Sequence, residues 1–206
     1  MSGSYNIMAR TWFVVLAALT AFAPSFSASL AADTDVEAIA KAIEQKSETG
    51  RFKEAWRDLE DLQTLLWEKL PLGITAALFV NKPAAGYGLY EPRENSDFSK
   101  DAPIFVYLRP VGYGYERNKD SYGIALSADF QLRTPGGQVL AEQDGFSRLT
   151  LQSRAPNREF QASFSFTFGG MEPGEYALLI RLRDENGGQS AETILPFTIT
   201  ADPTPE

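Results

Sequence analysis

The 206 residues carry a formal net charge of −8 and contain neither cysteine nor histidine. Those absences exclude disulfides, thiolate nucleophiles, thiolate metal centres, the Ser-His-Asp arrangement and nearly all zinc and copper sites. The acidic balance repels phosphate backbones and anionic lipid, so no nucleic-acid partner is expected. Any catalysis would rest on carboxylates, lysine, tyrosine and serine.

Residues 1–32 read as a secretory signal peptide. One cation, Arg10, precedes an apolar run from Trp12 to about Ala23, followed by Pro24 and small residues. Ser29-Leu30-Ala31 and Leu30-Ala31-Ala32 both offer the small-x-small pattern of a cleavage site. Met8 is an alternative start. The apolar run falls short of the roughly 20 residues that cross a hydrocarbon core. No later segment reaches that length, so no membrane span is expected and the location is periplasmic or secreted. Without disulfides, such a chain must hold its fold by core packing alone.

Residues 33–71 follow a helical period. Val36, Ile39, Ala40 and Ile43 form the first stripe, with Asp33 or Thr34 as N-cap, and Gly50 breaks it. Trp56, Leu59, Leu62, Leu66 and Leu70 form the second stripe, and Pro71 and Gly73 end it. The stretch AIEQKSETGRFKEAWRDLEDL resembles a single tetratricopeptide-type hairpin. Arrays of such repeats need several units to bury a continuous core, so one hairpin is expected to pack on the domain that follows.

From Ile74 the period becomes two. Strands are predicted at 74–81, 86–91, 103–110, 122–133, 138–143, 146–152, 158–168, 174–184 and 189–200. Phe160, Ala162, Phe164, Phe166 and Phe168 share one face, as do Ile124, Leu126, Ala128, Phe130 and Leu132, with polar residues between them. Such alternation marks antiparallel sheets with one buried face. Thr134-Pro135-Gly136-Gly137 and Asp184-Glu185-Asn186-Gly187-Gly188 carry turn residues between runs. Met171-Glu172-Pro173-Gly174-Glu175-Tyr176-Ala177-Leu178 then resembles the tyrosine corner of immunoglobulin-like and fibronectin type III-like domains. The resemblance spans about 100–200 and implies that Tyr176 bonds back to upstream backbone. The expected fold is mainly β: an antiparallel immunoglobulin-like β-sandwich over 72–200, with an N-terminal α-helical hairpin at 33–71. Residues 201–206 have the composition of a disordered tail.

Two near-repeats invite a functional reading: Gly86-Tyr87-Gly88-Leu89-Tyr90-Glu91 and Gly112-Tyr113-Gly114-Tyr115-Glu116. Neither opens a helix or ends in Gly-Lys-Ser/Thr, so neither suits a phosphate. Glycine in a strand leaves a gap that a neighbouring aromatic ring can cover, and the two stretches are expected to be neighbours in one sheet. Six of the eight tyrosines lie between 87 and 122. Strand 103–110 is apolar on both faces, and Trp56, Leu59 and their stripe are expected to cover the second. If that face were open, Tyr87, Tyr90, Tyr107, Tyr113 and Tyr115 would form a ligand face suited to a sugar or peptide. The carboxylate pairs Glu60-Asp61, Glu172/Glu175 and Asp184-Glu185 read as solvated surface rather than a glycosidase pair. Asp184-x-Asn186-x-Gly188 opens like a calcium loop but lacks its further acid. No catalytic residue, cofactor or metal site is predicted. The resulting expectation is a non-enzymatic exported binding or accessory module of the bacterial cell envelope, its partner another envelope protein or polymer. The alternative is a carbohydrate-directed protein, either lectin-like or a carboxylate-only hydrolase, using the tyrosine-rich face.

Overall fold

The computed structural model describes residues 27–201, with side chains from 35 onward. Most of the leader and of the C-terminal tail therefore lies outside the described residues. The chain divides into two compact units, 1–59 and 60–206.

The first unit holds helix α1 (Ser27–Glu48) and the N-terminal half of helix α2 (Phe52–Lys69). The expected N-cap at Asp33 or Thr34 is not one, because the helix runs on back to Ser27. Ser27–Ala32 are small or helix-tolerant residues with no breaker among them, so nothing in the sequence stops the helix there. The turn between the helices requires Gly50, at φ +72. Lys46 pairs with Asp58 at 2.5 Å across the turn, and Ala55 is buried. Trp56 is 61 % exposed.

The second unit is mainly β. Its strands are β1 (Gly73–Val80), β2 (Asp97–Ser99), β3 (Ile104–Val111), β4 (Glu116–Asn118), β5 (Ser121–Arg133), β6 (Val139–Ser153), β7 (Ala162–Phe166), β8 (Gly174–Asp184) and β9 (Ser190–Thr200). They form two sheets. One is three-stranded, ordered β1-β3-β7; the other is ordered β2-β9-β8-β5-β4, with β6 also paired to β5. All pairings are antiparallel except β2 with β9. The alternation read from sequence is realised: Leu126, Ala128 and Leu132 of β5, and Phe164 and Phe166 of β7, enter one core with Val106, Leu108, Leu178 and Ile180. Phe146 from β6 packs its ring against Phe130, Phe164 and Phe166, closing the side where the two sheets meet.

Several expected boundaries shift. The predicted strands 138–143 and 146–152 are one strand, β6, continued through a bulge opposite Asp129. There Asp129 Oδ1 accepts the Gly145 N–H at 2.6 Å, and Gly145 adopts φ +59. Predicted strand 158–168 contracts to β7, while Phe160 and Phe168 pack on the core from irregular backbone. Predicted strand 86–91 is a turn: Leu89 N–H donates to Gly86 C=O at 3.0 Å and Gly88 has φ +69. The loop containing it is clamped shut where Asn81 N–H donates to Glu91 C=O and Arg93 N–H to Phe79 C=O.

Candidate functional site

The two Gly-Tyr-Gly stretches are not neighbours in a sheet; both lie outside the strands, and they do different jobs. The first stretch belongs to the loop that folds over the outer face of β3. Tyr107 is fully buried there, its hydroxyl accepting the Gly88 N–H at 3.0 Å and its ring 4.2 Å from that of Tyr90. Ala84 N–H donates to Ser163 Oγ on the adjacent strand at 3.3 Å. The second apolar face of β3 is thus covered by residues 84–90. A close sequence connection supplies the lid without a long-range partner.

The second stretch, following β3, builds a cavity of about 230 Å³ with the last turn of α2 and the β8–β9 turn. Trp67, Glu68, Tyr115, Arg117, Asp184 and Gln189 are among its lining residues. Gly112 adopts φ +72, and a Cβ on it would lie 2.3 Å from the Pro71 carbonyl oxygen. Only glycine allows the chain to run this close to the end of α2. A Cβ on Gly114 would lie 3.1 Å from the Gly187 nitrogen, a tight approach without the left-handed backbone of Gly112.

Hydrogen bonds fix each wall. The Trp67 indole N–H donates to the Tyr113 carbonyl at 3.0 Å, and its ring meets that of Tyr113 edge-on at 5.0 Å. Trp67 also lies over Tyr115, 6.4 Å between centroids and 29° from parallel. The hydroxyls of Tyr113 and Tyr115 both donate to one acceptor, the Asn157 carbonyl, at 2.9 and 2.8 Å. Burial pushes both phenols up: Tyr115 to about 12, and Tyr113, which also feels Tyr115, further still.

The acids lining the cavity are already engaged. Asp184, 3 % exposed, accepts the N–H groups of Gly114 at 2.7 Å and Asn186 at 3.0 Å. Asn186 in turn donates to the carbonyls of Gly114 and Gly123. The stretch that resembled a calcium loop therefore binds backbone instead, with the Asp184 oxygens accepting and the Asn186 amide nitrogen donating. Glu68 pairs with Arg117 at 2.5 Å across the rim. Among the described residues no group of three or more acidic side chains is placed to hold a metal ion.

Of the five tyrosines singled out in the sequence, Tyr113 and Tyr115 meet at this cavity, Tyr113 being buried beneath it. Tyr87, Tyr90 and Tyr107 belong to or underlie the loop over β3. Tyr107 is fully buried, so its ring faces no solvent. Sequence reasoning did not point to Trp67, Glu68, Arg117 or Gln189, and it read Asp184 as a solvated acid or the opening of a calcium-like loop. The signal for Asp184 was the Asp-x-Asn spacing, which also describes an Asx turn anchoring a neighbouring loop.

No protein-family model and no curated protein matches the chain. Solved structures to which it is similar include the sporulation control protein Spo0M from Bacillus subtilis, at 11% identity and TM-score 0.32, covering 65% of this chain and 51% of that one. Another is the CARDB domain of a Pyrococcus furiosus protein in complex with di-metal ions, at 9% identity and TM-score 0.28, covering 64% and 86%. A third is the superoxide reductase (neelaredoxin) of Ignicoccus hospitalis, at 8% identity and TM-score 0.30, covering 63% and 82%. The match spans about half the length of the Spo0M chain. These likenesses are to β-rich domains, and at such scores they carry no functional argument.

Proposed function

We propose that this chain is an exported, non-enzymatic binding or accessory module of the bacterial cell envelope, periplasmic or secreted, built on an immunoglobulin-like sandwich. One observation carries the reading. The Trp67–Tyr115 cavity is rigidly braced, and the acids lining it are spent on structure, Asp184 on two backbone N–H groups and Glu68 on Arg117. A general acid or base needs a carboxyl free to exchange a proton with substrate. A preformed recess with aromatic walls and an ionic rim suits recognition. The Tyr176 hydroxyl donates to the Glu172 carbonyl at 2.7 Å, which favours the tyrosine-corner assignment and hence the immunoglobulin-like form.

A second reading rests on the Trp67 and Tyr115 rings beside Arg117 and Gln189. That combination would suit one sugar ring, through stacking and hydrogen bonds. Crosslinking the chain in envelopes of an expressing bacterium tests the first reading. A defined envelope partner should be captured by wild type and lost in Arg117→Glu. Retention of the chain in the cytoplasm, or turnover of a glycan by the purified protein, would sink it. A glycan-array signal abolished by Tyr115→Ala would move the assignment to the sugar.

A further inference from the structure

The longest strand of the fold, β6, lies at a sheet edge. It pairs with β5 alone, and among the described residues no isolated bridge or turn hydrogen bond reaches its other side. Alternate residues of such a strand present N–H and C=O groups outward, a row that another extended chain can satisfy in register. The two halves of this edge are built differently. Toward its start, β6 carries the bulge at Gly145 together with exposed Glu142 and Asp144, features that keep foreign strands away. From Ser147 to Ser153 the strand is regular, pairing residue by residue with Ala128 back to Tyr122 without a shift. The sequence there, Ser147-Arg148-Leu149-Thr150-Leu151-Gln152-Ser153, has no proline, glycine, lysine or acid, and Arg148 is its one charge. Leu149 and Leu151 lie opposite buried Leu126 and Ile124 on the core face, yet stay half-buried, with no strand beyond to cover them.

This segment is its own complement. In an antiparallel pair of two copies about an axis at Thr150, Leu149 of each copy faces Leu151 of the other. Arg148 then faces Gln152 and Ser147 faces Ser153, so no like charges meet. An axis perpendicular to the sheet also keeps both core faces on one side, so the half-buried leucines meet across the junction. Other registers are worse. Moving the axis one residue back sets Leu151 against Ser147, and moving it one residue on sets Arg148 against Arg154. In the favoured register, exposed Arg154 of one copy faces the stretch that carries Asp144 in the other. Arg154 forms no ion pair within its own chain among the described residues.

We propose that the Ser147–Ser153 edge of β6 joins the same edge of a second copy of this chain, antiparallel about a two-fold axis at Thr150, so that the two larger sheets run on as one. Main-chain hydrogen bonds supply the attraction, and the Leu149–Leu151 contacts and the Arg154–Asp144 ends set the register. The dimer does not depend on the Trp67–Tyr115 cavity, to which β6 contributes no lining residue.

Sedimentation equilibrium of the full chain, from micromolar to near-millimolar concentration, should show a reversible monomer–dimer equilibrium. Thr150 is exposed, so Thr150→Lys and Thr150→Glu should each melt close to wild type. Each sets like charges opposite one another at the axis and should weaken dimerisation at least about tenfold. An equimolar mixture of the two should dimerise again, as the heterodimer. Because the chain has no cysteine, Thr150→Cys should give a single disulfide-linked dimer on mild oxidation. Its paired Cα atoms would lie about 4.5–5.5 Å apart, within disulfide reach. Gln152→Cys should stay unlinked, since its two copies would stand about 13 Å apart along the strand. A chain that is monomeric at every concentration would overturn the proposal. So would a dimer indifferent to both Thr150 charges, or equal crosslinking through Thr150→Cys and Gln152→Cys.

Discussion

The Asn157 carbonyl accepts two phenol hydroxyls, one from buried Tyr113 and one from half-buried Tyr115, and that arrangement makes a non-additive prediction. Removing the Tyr113 hydroxyl (Tyr113→Phe) leaves Asn157 satisfied by Tyr115 at 2.8 Å; removing the Tyr115 hydroxyl leaves it satisfied by Tyr113 at 2.9 Å. Each single change should therefore cost only about 0.5–1 kcal/mol, the net worth of one hydrogen bond whose acceptor stays paired. The double variant leaves the carbonyl of half-buried Asn157 without either phenol donor, and an unsatisfied buried group costs about 1–3 kcal/mol, the lower end applying where water has partial access. The double variant should thus exceed the sum of the singles by about 1 kcal/mol. For a chain of this size each kcal/mol lowers Tm by about 2–4 °C. Urea denaturation of all four proteins, with m held constant, gives the coupling directly. Strict additivity would refute the shared-acceptor geometry, and with it the account of how 112–116 is held.

Four further outcomes follow from the same structure. Gly112→Ala, which combines positive φ with a clash against the Pro71 carbonyl, should cost about 3 kcal/mol or more, read by the same denaturation assay. Because burial raises the Tyr115 phenol from 10.0 to about 12, its neutral form is favoured by folding. That contribution is intact below pH 10 and lost as pH rises through about 12, so the urea midpoint should fall over this window and fall less in Tyr115→Phe. Tyr176→Phe removes a bond at a half-buried position, so the expected loss is about 0.5–1 kcal/mol, and an unchanged midpoint would remove the tyrosine corner from the fold's supports. Intact mass of the chain recovered from a bacterial envelope should show cleavage near Ala31 or Ala32; a mass retaining Met1 or Met8 would contradict the leader assignment.

The sequence by itself determined the mainly β fold class and most of the strands. Alternation in Ile124–Leu132 and Ala162–Phe166 is a local property, because side chains on a strand point to opposite faces whatever lies beyond. The turns at Thr134–Gly137 and Asp184–Gly188 were legible for the same reason: glycine, proline and asparagine act on their own backbone. The missing cysteines and histidines set the chemistry before any fold was considered. Tertiary structure alone decided what the glycines and tyrosines are for. Gly112 is required by the approach of Pro71, forty-one positions earlier in the chain. Tyr113 and Tyr115 converge on a carbonyl more than forty positions away. Strand periodicity gave 86–91 an extended look, but the left-handed Gly88 and the buried Tyr107 hydroxyl fold it into a lid. Asp184 looked like a surface acid until the Gly114 N–H was found against it. Period reports which way a side chain faces, whereas these roles depend on which distant backbone group it meets, and no local pattern encodes that.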